Sequence, residues 1–282
     1  MSDNDDRSRS DVLTTVEELR AAATVPVVLD VRWALGDPNG RRHYLAGHIP
    51  GAVYVDLDTE LAEPPSPAAG RHPLPSPSDL QAAARRWGIR AASPVVVYDA
   101  VGGTSAARAW WLLRWGGLRD VRILDGGWTA WQASGAAVAS GEEVVREAGD
   151  VTLRGGGLPV IDGDAAAAWP TRGVLLDARA AERFRGELEP VDPRAGHIPG
   201  ARSAPTTANL AEDGRFRSTE ELRTRFSELA ADRPVAVYCG SGVTAAHQVA
   251  ALAVAGIDAA LYPGSWSQWS NDPDRPVATG PE

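Results

Sequence analysis

Short apolar runs recur along the chain at 27–31, 95–98, 121–124, 174–177, 235–238 and 260–262. They are rich in Val, Leu and Ile and too short for buried helices, so they predict strands covered on both faces. Between them the apolar positions take a helical spacing. Three helix starts carry a hydroxyl followed three residues later by Glu or Gln: Thr15 with Glu18, Ser78 with Gln81, Ser218 with Glu221. In such a box the hydroxyl accepts an unpaired backbone N–H and the longer side chain reaches back. Further helices are expected over 104–115 and 244–255, each stopping before a glycine, Gly116 and Gly256. Strands alternating with helices predict an α/β fold with a mainly parallel sheet.

The pattern occurs twice. AGHIPGA stands at 46–52 and again at 195–201. LDVR at 29–32 answers LDAR at 176–179, PVVVYDA at 94–100 answers PVAVYCG at 234–240, and DGGWTAW at 125–131 answers PGSWSQW at 263–269. Four matches in the same order, offset by about 140–150 residues, predict two copies of one fold. The expected division is a disordered tail over 1–11, a first domain over 12–134, a linker over 135–155 and a second domain over 156–278. His48 and His197 recur inside the repeated heptapeptide, and Asp30 with Arg32 recurs as Asp177 with Arg179, so all six read as parts of the fold. The ten tryptophans read as core and interdomain packing, and His247 as a packing or capping residue.

Charge narrows the function. The 282 residues hold 28 basic and 37 acidic side chains, a net charge of −9. Without a basic block, nucleic acid and anionic membranes are poor partners. No run is long enough to span a membrane, and the polar, acidic start lacks the apolar core of a signal peptide. A cytoplasmic protein is expected. Cys239 is the single cysteine, so the chain can form no internal disulfide and no zinc site of several thiolates.

Cys239 closes the strand 235–238 and opens the loop Cys239-Gly240-Ser241-Gly242-Val243-Thr244, which leads into a helix. Two glycines permit a tight curl, and a curl entering a helix aims several backbone N–H groups at one point. That favours a thiolate, the nucleophilic form, and would hold an anion bonded to the sulfur. The first half has Asp99 at the matching position, so only the second half is expected to be catalytic. A phosphatase loop would need arginine at position 245, where the chain has alanine.

With the paired AGHIPGA segments, the DGGW and PGSW segments and this loop in view, the two halves resemble rhodanese domains. The chain resembles a tandem-domain sulfurtransferase over about residues 12–275, which implies two sheets of five strands each. The loop CGSGVTA is similar to the mercaptopyruvate form of the family, because the positions of Gly240 and Ser241 are basic in the thiosulfate form. The resemblance implies a Cys239 persulfide, taken from 3-mercaptopyruvate and passed to cyanide or to a thiol such as thioredoxin or a small thiol, with no metal or organic cofactor. It implies that the amides of Gly240, Gly242, Val243 and Thr244 hold the substrate sulfur. It implies that Arg183, in RFRG, binds the donor carboxylate. A second arginine should follow; by strict count its position is Asp192, two residues before Arg194, which is the candidate. A relay of Ser241, His72 and Asp58 across the domain interface is also implied. Thiosulfate as donor, and a persulfide carrier serving a partner protein, remain alternatives.

Overall fold

A computed structural model describes residues 8–145 and 147–281. The first half builds a parallel sheet from β1 (Leu13–Thr14), β2 (Val27–Asp30), β3 (Val53–Tyr54), β4 (Val95–Tyr98) and β5 (Val121–Leu124), in the order β1-β5-β4-β2-β3. The second half builds β6 (Val174–Asp177), β7 (Arg202–Ser203), β8 (Val235–Tyr238) and β9 (Ala259–Leu261), in the order β7-β6-β8-β9. The registers match: Leu29 lies beside Val97, and Leu176 beside Val237. Helices cover both faces, as strands this apolar require.

Among the described residues the expected fifth strand of the second sheet does not form, and the sheet has four strands. Its place beside β9 is taken by 159–161, where Leu261 N–H donates to Pro159 O (3.0 Å) and Ile161 N–H to Leu261 O (2.9 Å). Proline has no N–H to extend the ladder, and Asp162 already caps the next helix through Ala165 N–H (2.8 Å). The segment has no length left to pair.

The capping boxes at Thr15 and Ser218 form. The one at Ser78 does not. The cap is Ser76, with Pro77 as the first residue of the helix Pro77–Arg86, and Asp79 N–H donates to Ser76 Oγ. Proline is preorganised for that first helical position and fixes the start one step earlier. Gln81 Oε1 instead accepts Leu153 N–H (3.1 Å). The helices expected over 104–115 and 244–255 are Ala106–Trp115 and Val243–Val254. The tail expected to be disordered over 1–11 is helical at 8–10, and residues 1–7 lie outside the described residues. Arg9 pairs with Asp125 of the first half at 2.6 Å and donates to the carbonyls of Phe216 and Arg217 in the second. The linker lies along the first half: Gly149 N–H donates to Arg85 O, and Val151 and Leu153 are buried.

The repeated residues do the same work twice. Arg32 pairs with buried Asp30 and donates to Gly47 O (2.6 Å); Arg179 pairs with Asp177 and donates to Gly196 O (2.6 Å). His48 Nδ1–H donates to Tyr44 O (2.9 Å) and His197 Nδ1–H to Phe184 O (2.8 Å). Tyr98 and Tyr238 each take the N–H of the isoleucine that follows, Ile49 and Ile198. The heptapeptide is therefore a buried corner whose polar groups are satisfied from the neighbouring strand.

The halves meet through the helices Ala106–Trp115 and Val243–Val254. A single apolar cluster runs through both, with Trp110 and Trp111 on one side and Val249 and Leu252 on the other. His247 sits in this seam, fully buried, its Nδ1 2.6 Å from Thr206 Oγ and its ring 4.6 Å from that of Phe216. Burial pushes its pKa down to about 4, so it packs as a neutral ring. Among the described residues no helix is long and apolar enough to cross a membrane.

Candidate active site

Cys239 ends β8 at the carboxyl edge of the second sheet and is 1% exposed. Gly242, at φ +81°, turns the loop back so that its N–H points at Cys239 Sγ, 3.1 Å away. The PGSW segment braces the curl from behind. Trp266 N–H donates to Cys239 O (2.9 Å), Ser267 N–H to Gly240 O (2.8 Å), and Cys239 N–H to Ser265 Oγ (3.1 Å). Ser265 adopts φ +53°, a conformation rare for anything but glycine. Its counterpart in the first half is Gly127, also at φ +53°, where Trp128 N–H donates to Asp99 O (2.8 Å).

That first-half loop displays what the curl is built to hold. The Asp99 carboxylate accepts the N–H groups of Val101, Gly103, Ser105 and Ala106 at 2.8–2.9 Å. The loop is an anion cradle, and in the first half a side chain of the protein fills it. In the second half Cys239 stands there with a smaller side chain and a nucleophilic atom.

A Cβ at Gly242 would lie 2.6 Å from Pro263 O. Gly242→Ala is therefore expected to cost at least about 2 kcal/mol of stability, from left-handed backbone strain plus contact with unyielding main chain. Urea denaturation measures it; an unchanged midpoint would show that the loop tolerates another turn.

The three residues of the expected relay lie together. His72 Nδ1 is 2.8 Å from Ser241 Oγ and His72 Nε2 is 3.1 Å from Asp58 Oδ1. Asp58, as a carboxylate, only accepts, which places the ring proton on Nε2 and leaves Nδ1 to accept from the Ser241 hydroxyl. Trp33 Nε1–H also donates to Asp58 (3.0 Å), and the Trp33 ring meets His72 edge-on. Burial, with Arg108 nearby, lowers the His72 pKa; Asp58 opposes this. The ring is neutral at pH 7.

Arg183 reaches the loop. A Cβ at Gly240 would lie 3.5 Å from its Nη1 and 2.9 Å from Nη2 of Arg71. Both guanidinium groups pair with Asp192, Arg183 at 3.1 Å, and Arg183 also pairs with Glu189 at 2.6 Å. Arg194 does not join them. Its guanidinium donates to the carbonyls of Trp269, Ser270, Asp272 and Arg275 and so ties the C-terminal segment down. The position that the strict count gives to a second arginine holds Asp192, which orients Arg183 and Arg71. Val243 and Thr244 open the helix Val243–Val254 behind the loop.

Sequence reasoning missed Arg71, Arg108 and Ser265. Arg71 adjoins His72 and could have been noticed for that. Ser265 breaks the glycine of the repeat, a readable departure. Arg108 gives no local signal at all.

A family model described as the rhodanese-like domain matches residues 13–134 and again 163–272. A Mycobacterium tuberculosis protein named as a thiosulfate sulfurtransferase is 49% identical over 97% of this chain and 99% of its own. A Pseudomonas aeruginosa protein named as a 3-mercaptopyruvate sulfurtransferase is 50% identical over 95% of this chain and 98% of its own. The crystal structure of the Escherichia coli 3-mercaptopyruvate enzyme superposes with a TM-score of 0.78 at 34% identity, covering 90% of this chain and 98% of that one.

Proposed function

Because the chain belongs to the rhodanese family, with a rhodanese-like domain in each half, we propose that it carries sulfur from 3-mercaptopyruvate through a Cys239 persulfide to a thiol acceptor. The observation that carries this reading is the chain Asp58–His72–Ser241, which ends on the loop of the nucleophile.

The chemistry makes use of such a chain. Cys239 thiolate attacks the donor sulfur, an S–S bond forms, the C–S bond breaks, and its electron pair leaves on the enolate of pyruvate. The proton of the donor thiol must then move from sulfur to the enolate carbon. Ser241, with neutral His72 behind it, is placed to pass that proton. The outcome is a persulfide and pyruvate. An acceptor thiolate, or cyanide in an assay, then attacks the outer sulfur of the persulfide; that sulfur leaves on the acceptor, as its persulfide or as thiocyanate, and Cys239 departs as thiolate. Splitting one transfer into two displacements is ordinary covalent catalysis. Arg183 and Arg71, at Gly240, are the groups to receive the donor carboxylate, since a guanidinium matches it bidentately. The amides of Gly240, Gly242, Val243 and Thr244 are assigned to the sulfur anion.

The test is kcat/KM for cyanide-dependent transfer with each donor. At least about a tenfold preference for 3-mercaptopyruvate over thiosulfate is expected, a size that one or two specific polar contacts provide. A thiosulfate preference would overturn the donor assignment. Turnover with neither would favour the persulfide carrier.

A further inference from the structure

Arg108 is completely buried on the helix Ala106–Trp115, in the half of the molecule without a nucleophile. All its hydrogen bonds go to carbonyl oxygens: Leu61 (3.1 and 3.2 Å), His72 (2.9 Å), Pro73 (3.1 Å) and, across the domain interface, Gly242 (3.3 Å). Among the described residues none of its partners is a carboxylate. Carbonyl dipoles solvate a guanidinium but do not cancel its charge, and a charge taken out of water without a counter-ion is costly. Among the described residues the other buried arginines, Arg32 and Arg179, each have an aspartate. Arg108 is the exception, and it touches the residue whose N–H points at Cys239 Sγ.

We propose that Arg108 is the counter-ion of the site: its charge is balanced by the Cys239 thiolate and then by the persulfide, while its fork holds the His72 loop against the Cys239 loop. Other charges near the sulfur have other partners. Arg71 and Arg183 are paired with Asp192 and Glu189, and His72 is neutral and faces Asp58. Burial pushes Arg108 down to about 10, with Cys239 as the opposing influence. The same cation helps to hold His72 in its neutral form. One buried charge thus favours both an anionic nucleophile and a histidine free to accept a proton. Arg108 is a positioning residue; it acts through Cys239 and His72 rather than on the donor. The proposal rests on Cys239 as the nucleophile.

Alkylation tests it cleanly, because iodoacetamide labelling of a thiol in this chain can only report Cys239. Arg108→Gln keeps N–H donors for the carbonyls but removes the charge; Arg108→Lys keeps the charge but loses the fork. Arg108→Lys should retain the wild-type pH profile of alkylation. Arg108→Gln should move the profile to higher pH, with labelling about tenfold slower at pH 7. A folded Arg108→Gln protein with the wild-type profile would overturn the proposal. If Arg108→Gln does not fold, the reciprocal comparison uses Cys239→Ser. A thiolate stabilised only in the folded state adds stability at high pH and loses it as pH falls. The Tm gap between wild type and Cys239→Ser should therefore be wider at pH 8 than at pH 5, and a gap independent of pH would count against Arg108. Sulfur transfer surviving in Cys239→Ser would instead remove the nucleophile assignment beneath it.

Discussion

Cys239→Ser is expected to lower kcat for sulfur transfer by about 10⁴-fold or more with either donor, the scale seen when a catalytic nucleophile is removed. Serine fits the space, and the loop that Gly242 and Ser265 hold in place should survive. What is lost is the bond. An alcohol is not an alkoxide at neutral pH, and oxygen cannot form the S–S bond on which the second displacement depends. The cradle of amides has no other sulfur to serve. Thiocyanate formation measures the loss, and mass spectrometry after donor treatment should find a persulfide on the wild type alone. Turnover within tenfold of wild type would mean that sulfur passes directly from donor to acceptor.

His72→Asn should separate the donors. With 3-mercaptopyruvate kcat should fall by about 10²–10³-fold, the usual contribution of a positioned acid–base group. With thiosulfate the change should be within a few-fold, because sulfite leaves without needing a proton. The pH dependence has a definite sign. The folded-state pKa of His72 lies below its ordinary value of 6.5, so the ring stays neutral until pH falls below that value. The acid limb of kcat/KM for 3-mercaptopyruvate should then lie below pH 6.5 and disappear in His72→Asn. Equal losses with the two donors would assign His72 to the shape of the cleft instead of to proton movement.

The strands and the duplication were legible because both are local or self-referential. A run such as Val95–Tyr98 predicts its own burial, and AGHIPGA needs only a second copy to be noticed. The strand beside β9 failed because edge pairing depends on how many N–H groups a short segment can offer, and Pro159 removed one. Ser78 was misread because two serines flank Pro77, and the proline decided which of them caps.

The site divides along the same line. Cys239 and its loop are contiguous, so their chemistry could be read off the chain. Arg183 was reached through the RFRG resemblance, and the structure places it at Gly240. Arg194 was chosen by proximity in sequence, but its side chain was already committed to four carbonyls at the C-terminal end. Arg71 and Arg108 approach from the other half, and nothing between residues 108 and 242 announces that they will meet.

The continuous apolar cluster also bears on how the molecule comes apart. Each half shields the other's helix face, and Arg9, Arg108 and Ser241 all take partners across the seam. Opening one half would expose Trp110, Trp111 and Leu252 to water and take from Arg9 the carbonyls of Phe216 and Arg217. By ancestry the chain is a doublet, but its unfolding should be a single cooperative event, with neither half persisting as a native remnant of the other.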